Sequence, residues 1–149
     1  SEVAAMYKHI LIPTDGSETG TRAVESALDL ARAVGAKLTI LTVLQPFHVF
    51  AFAPEMVTET TAEHQRQLDE HSRADDLLET KVRASGVACT HIRAENDHLS
   101  EAVRRTADAQ GCDLIVMPAH ERYGLLGRSV DSETVSLLSR SRLPVLVLH

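Results

Sequence analysis

Apolar positions along this chain fall into two alternating patterns: short continuous runs, and longer stretches where they recur at helical spacing. "YKHILIP" (Tyr7–Pro13) is the first run and predicts a buried strand. "TDGSETG" then supplies turn residues, and Ser17 or Thr19 is the expected N-cap of a helix. Ala23, Val24, Ala27, Leu28, Ala31 and Val34 carry that helix, and Gly35 ends it. "KLTILTVL" (Lys37–Leu44) is a second strand, rich in β-branched residues. After "FHVFAFAP", a long polar helix is expected from about Thr60 to Ser85, with Leu68, His71, Ala74, Leu78 and Val82 on one face and Gly86 at its end. "VACTHIRA" is a third strand. Asp97 or Ser100 is the expected cap of the next helix, which carries Leu99, Ala102, Val103, Thr106 and Ala107 and stops at Gly111. "CDLIVMP" is the fourth strand. "GRSVDSE" reads as a loop leading into a capped helix through Val135 and Leu138, and "LPVLVLH" is a fifth strand.

Strands and helices alternate, and the strands are continuously apolar, so the sheet is parallel and covered on both faces. The expected architecture is α/β: a five-stranded parallel sheet, doubly wound, in a flavodoxin-like (adenine nucleotide alpha hydrolase-like) three-layer sandwich. Residues 6–149 form a single domain, and residues 1–5 are expected to be an expression remnant or a frayed start. Ligands in such sheets bind beyond the carboxyl ends of the strands, where the winding reverses. The first and fourth strands are the expected pair there, which brings "PTDGS" (Pro13–Ser17) next to "MPAHERYG" (Met117–Gly124).

"KHILIPTDGS", "CDLIVMPAHER-G" and "LPVLVLH", in this order, resemble the universal stress protein family over Tyr7–His149. The resemblance implies the fold just derived and a role in stress response. Many members of that family bind ATP through G-x2-G-x9-G-[ST] after the fourth strand. Laid on this chain without gaps, the pattern falls on Pro118, Glu121, Asp131 and Ser132, and only Ser132 matches. The resemblance also places Asp15 facing an adenine and Val43 near its ring. Should a nucleotide bind, the implied set is Pro13, Thr14, Asp15, Val43, Met117, Pro118, His120, Arg122, Ser132 and Thr134.

The departures have physical consequences. Glycine lets the backbone approach an anion closely, whereas Pro118 removes an N–H donor. Glu121, Asp131 and Glu133 face only Arg122 and Arg128 across this segment, so a triphosphate meets net repulsion. Asp131 can itself serve as the anion at the N-terminus of the last helix. The adenine half of the site is therefore expected to be present and the phosphate half lost. No cofactor is expected, with ATP or AMP as the alternative.

Composition narrows the function classes. A formal net charge of −6 argues against nucleic acid, whose backbone demands concentrated Lys and Arg. No apolar run approaches the roughly 20 residues that cross a bilayer. Cys89 and Cys112 form no C-x-x-C pair and read as reduced thiols, which predicts the cytoplasm. Cys89 and His91 point to one face of a strand, but no second pair completes a metal site. His120, Asp131 and Ser132 lack the nucleophile elbow of a hydrolase, so no catalytic residue is expected, with a weak nucleotide hydrolase as the third reading after an interaction module and an adenine-nucleotide-binding regulator. Phe47, Phe50 and Phe52 are read as packing under the long crossover, with an apolar flap or partner patch as the alternative. The last strand has no following element, and an apolar edge invites pairing with another copy. The resemblance points the same way, so a homodimer through residues 144–148 is expected, with an unknown protein partner.

Overall fold

The computed structural model describes residues 7–14, 18–44, 76–96, 98–118, 121–124, 127–130 and 132–148, plus single helical positions between 62 and 73. Asp15, His120, Asp131, Asp97, Ser17 and the segment Phe47–Phe52 lie outside the described residues. The first strand, β1, is His9–Thr14, followed by helix α1, Glu18–Val34, and strand β2, Lys37–Leu44. Residues 76–85 form helix α2. Then come β3 (Cys89–Glu95), α3 (Leu99–Gln110), β4 (Leu114–Pro118), β5 (Glu121–Gly124), β6 (Gly127–Val130), α4 (Ser132–Arg140) and β7 (Val145–Leu148).

The main sheet has five strands in the order β3-β2-β1-β4-β7, all neighbours parallel. Side chains alternate across it and feed two cores. Ile10, Ile12, Leu38, Ile40, Leu114 and Val116 meet Val24, Ala27, Leu28 and Ala31 of α1 and Leu78 of α2. Leu11, Leu41, Ile115 and Met117 meet Val103 and Ala107 of α3 and Leu137 of α4. Strands buried on both faces must be apolar at every position, which explains the unbroken runs. The three-layer sandwich is thus present.

Local sequence accounts for most element ends. Gly35, Gly86 and Gly111 all take positive φ where helices stop. Gly111, at φ 69° and ψ 36°, directs backbone N–H groups to the carbonyls of Ala107 and Asp108. The start of α3 differs from expectation. Its N-cap is His98, which makes no side-chain capping bond, while the Asn96 side chain accepts the His98 N–H at 2.8 Å. Ser100 lies inside the helix, buried, with its hydroxyl 3.5 Å from that of Ser136 on α4. Its polar group serves a helix–helix contact in place of a cap.

The segment read as a loop before the last helix is also different. β5 and β6 pair as an antiparallel ribbon, Glu121↔Val130 through Gly124↔Gly127. Two glycines bracketing a two-residue connection are a hairpin signal that the phosphate-loop pattern had masked.

Candidate functional site

The winding reverses between β1 and β4, and there the sheet opens. The β1–β2 ladder runs through all of β1, ending at Pro13↔Leu41 and Thr14↔Thr42. The β1–β4 ladder holds only Ile10↔Leu114 and Leu11↔Ile115. Beyond those rungs Pro13 stands on one strand, and Pro118 ends the other. Each lacks an N–H, so neither donates to a ladder. Two prolines thus flank the place where the central pair stops bonding, at the carboxyl ends where doubly wound sheets bind ligands.

Residues from several elements converge on this end of the sheet. Pro13 and Thr14 end β1, with Thr14 buried. Val43, half-buried on β2, and Met117 of β4 both belong to the core under α3 and α4. Thr134, fully buried, stands in the first turn of α4. Ser132 is the first helical residue of α4, and Arg122 pairs with Ser129 in the ribbon. The structure therefore brings together Pro13, Thr14, Val43, Met117 and Pro118 on three neighbouring strands. Sequence reasoning missed Thr42, fully buried beside Thr14, whose hydroxyl lies 2.8 Å from Nε2 of His91. Its signal was a polar residue inside an apolar run.

The ribbon changes what the crevice offers an anion. Backbone N–H groups that cradle a phosphate must be free and convergent. β5 and β6 align over four register pairs, of which an antiparallel ladder hydrogen-bonds alternate ones. The helix that would present its N-terminus to phosphate, α4, begins directly after that ribbon.

Among the described residues, the perturbed ionisable groups lie elsewhere. His9, at the amino end of β1, is held below its ordinary value of 6.5, chiefly by burial and then by Lys37. Its Nε2 is 2.6 Å from the Thr39 hydroxyl. Burial pushes the Cys112 thiol up to about 11, and burial also raises Cys89. Both thiols are thus protonated at neutral pH, and thiols in that form are poor nucleophiles. Among the described residues, no three His, Cys, Asp or Glu are grouped to hold a metal ion. No described helix is long and apolar enough to cross a membrane.

Comparison with known proteins settles the lineage. The model of the universal stress protein family matches residues 6–149. The chain belongs to the universal stress protein family. A universal stress protein of Mycobacterium tuberculosis (strain H37Rv) is 27% identical over 150 residues, covering 96% of this chain and 97% of its own. One from Thermus aquaticus is 29% identical over 151 residues, covering 97% and 100%. Among solved structures, a family protein from Burkholderia pseudomallei superposes with a TM-score of 0.70 at 28% identity, covering 97% of each chain. A universal stress protein in complex with cAMP has a TM-score of 0.60 at 25% identity, covering 97% and 98%. As a universal stress protein, the chain shares the family's parallel sheet.

Proposed function

We propose that this universal stress protein acts as a dimeric interaction and regulatory module in the cytoplasm, without tight ATP binding and without catalysis. The observation that carries the reading is the ribbon that pairs residues 121–124 with 127–130 and commits part of their backbone donors to strand pairing, in the segment that the resemblance makes the phosphate loop. Pro118 and the acids Glu121, Asp131 and Glu133 add a missing donor and a repulsive charge. Two free thiols, neither in a disulfide, fit a reducing compartment.

The two sheet edges support pairing through β7. β3 carries exposed Thr90, Arg93 and Glu95, and charges on an edge deter pairing. β7 reads Val145–Leu148 with no charge, and Leu146 is 42% exposed. Val135 and Leu138, on neighbouring α4, are also exposed. An apolar, self-complementary edge suits a two-fold contact.

A second reading rests on the relative solved with cAMP: the Pro13–Thr14, Val43 and Met117 end of the crevice holds an adenosine monophosphate that makes few phosphate contacts. The test is a thermal-midpoint titration of unfolded-and-refolded protein with ATP, ADP, AMP and adenosine, with and without Mg²⁺. A ligand that binds only the native state raises stability by RT ln(1 + [L]/Kd). The primary reading expects no shift with ATP. A shift with AMP or adenosine alone selects the second reading, and a strong ATP shift refutes both.

A further inference from the structure

The amino end of the sheet, opposite the β1–β4 crevice, gathers positive charge. Lys8 precedes β1, Lys37 opens β2, Arg140 closes α4, and Arg142 lies in the link to β7. Arg32 and Arg83 stand in the last turns of α1 and α2. All six are exposed, and among the described residues the same helix ends and links contribute two acids, Asp108 and Asp113. The chain as a whole carries −6, so this end is charged against its surroundings. We propose that it is the docking surface for a protein partner and that it takes a short acidic peptide segment.

The acids present do not neutralise the surface. In the row of strand starts, β2-β1-β4-β7, Asp113 falls between Lys8 and Arg142. Both of its carboxylate oxygens accept backbone N–H groups, from Lys8 at 2.8 Å and from His9 at 3.0 Å. Among the described residues, Lys8, Lys37, Arg83, Arg140 and Arg142 form no ion pair, whereas Lys81 pairs with Glu25 and Arg105 with Glu101. A helix dipole accounts for a cation in a last turn, as at Arg32, Arg83 and Arg140. It does not account for Lys8, Lys37 and Arg142, which lie outside the helices. At the usual strand spacing the four starts span about 14 Å, which an extended segment of about five residues covers. Carboxylates along such a segment would make charge-assisted hydrogen bonds to the ammonium and guanidinium groups. A larger polyanion, such as nucleic acid or an anionic membrane, would also meet the acidic remainder of the chain and be repelled. Docking here rests on the interaction role proposed above and leaves the crevice open.

The test is fluorescence anisotropy of a labelled hexaglutamate peptide titrated with the full chain at low salt. Hexaglutamine, oligo-dT and phosphatidylserine vesicles serve as comparators. Saturable binding of hexaglutamate is expected, weakening as salt rises, with none of hexaglutamine. Lys8→Gln with Lys37→Gln, and Arg140→Gln with Arg142→Gln, should each weaken it about threefold to tenfold, the scale of two exposed charge pairs. Arg105→Gln removes a cation already paired on α3 and should leave the affinity unchanged. Circular dichroism checks that each variant keeps the fold. The proposal is overturned by no saturable binding, by oligo-dT or vesicles binding as tightly as hexaglutamate, by affinity unmoved in both double variants, or by an equal loss in Arg105→Gln. Nucleotide titration and sedimentation test the module itself, so a failure there and a failure here are separate results.

Discussion

Asp113 illustrates how much one side chain can organise. Its carboxylate accepts the Lys8 N–H at 2.8 Å and the His9 N–H at 3.0 Å, while its own N–H donates to the His9 carbonyl at 2.9 Å. It thereby pins β1 to the entry of β4 at the closed end of the sheet. Asp113→Ala leaves two donors without partners and should cost about 1–3 kcal/mol, read as a lower urea midpoint with unchanged slope. His9, beside it, titrates below its ordinary value because burial and Lys37 disfavour its charge. The unfolded chain therefore binds that proton first as pH falls through about 6.5. Stability is full above that pH and declines below it. His9→Gln should lose less stability between neutral and mildly acidic pH than the parent, measured by urea unfolding at both. At the crevice, the double change Glu121→Gly and Asp131→Gly removes two negative charges and is expected to tighten ATP binding in the same thermal titration. An unchanged affinity would leave the Pro118 position as the limiting departure.

At the scale of elements, the helices owe their ends to single backbone conformations. Gly111 takes φ 69°, and a Cβ built there meets nothing within 4 Å. The cost of Gly111→Ala is then the left-handed backbone alone, about 1–2 kcal/mol, with Gly111→Asn losing less. A comparison of the urea midpoints of the two variants checks this. The ribbon of β5 and β6 obeys different physics. Two strands of four residues are marginal on their own. The ribbon ranks among the first elements to exchange its amides, well before those of β1 and β4.

For the whole molecule, the unequal edges of the sheet set the expected assembly. Leu146→Lys places a charge on the bare edge without touching the two cores, since Leu146 belongs to neither. Sedimentation should show the parent as a dimer and this variant as a monomer with an unchanged circular dichroism spectrum. A monomeric parent would refute the proposed pairing.

The sequence by itself determined the sheet and its layers, because strands buried on both faces must be apolar at every position and crossover helices must carry one apolar stripe. Gly35, Gly86 and Gly111 marked helix ends for an equally local reason, the left-handed φ that other residues resist. The alternation of strands and helices also placed the reversal of winding between the first and fourth strands. What only the tertiary structure decided was every feature that depends on a partner distant in sequence. Ser100 left its capping role because Ser136 lies across the helix seam. Thr42 became part of a buried polar pair because His91 arrives from the next strand. Residues 121–124 found their partner in residues 127–130, and the alternate backbone donors used in that pairing are lost to a ligand. Lys81 and Arg32 came to join α2 and α1 across more than fifty residues of chain. Local pattern specifies what a segment is, but its chemistry depends on which groups the fold sets within hydrogen-bonding reach.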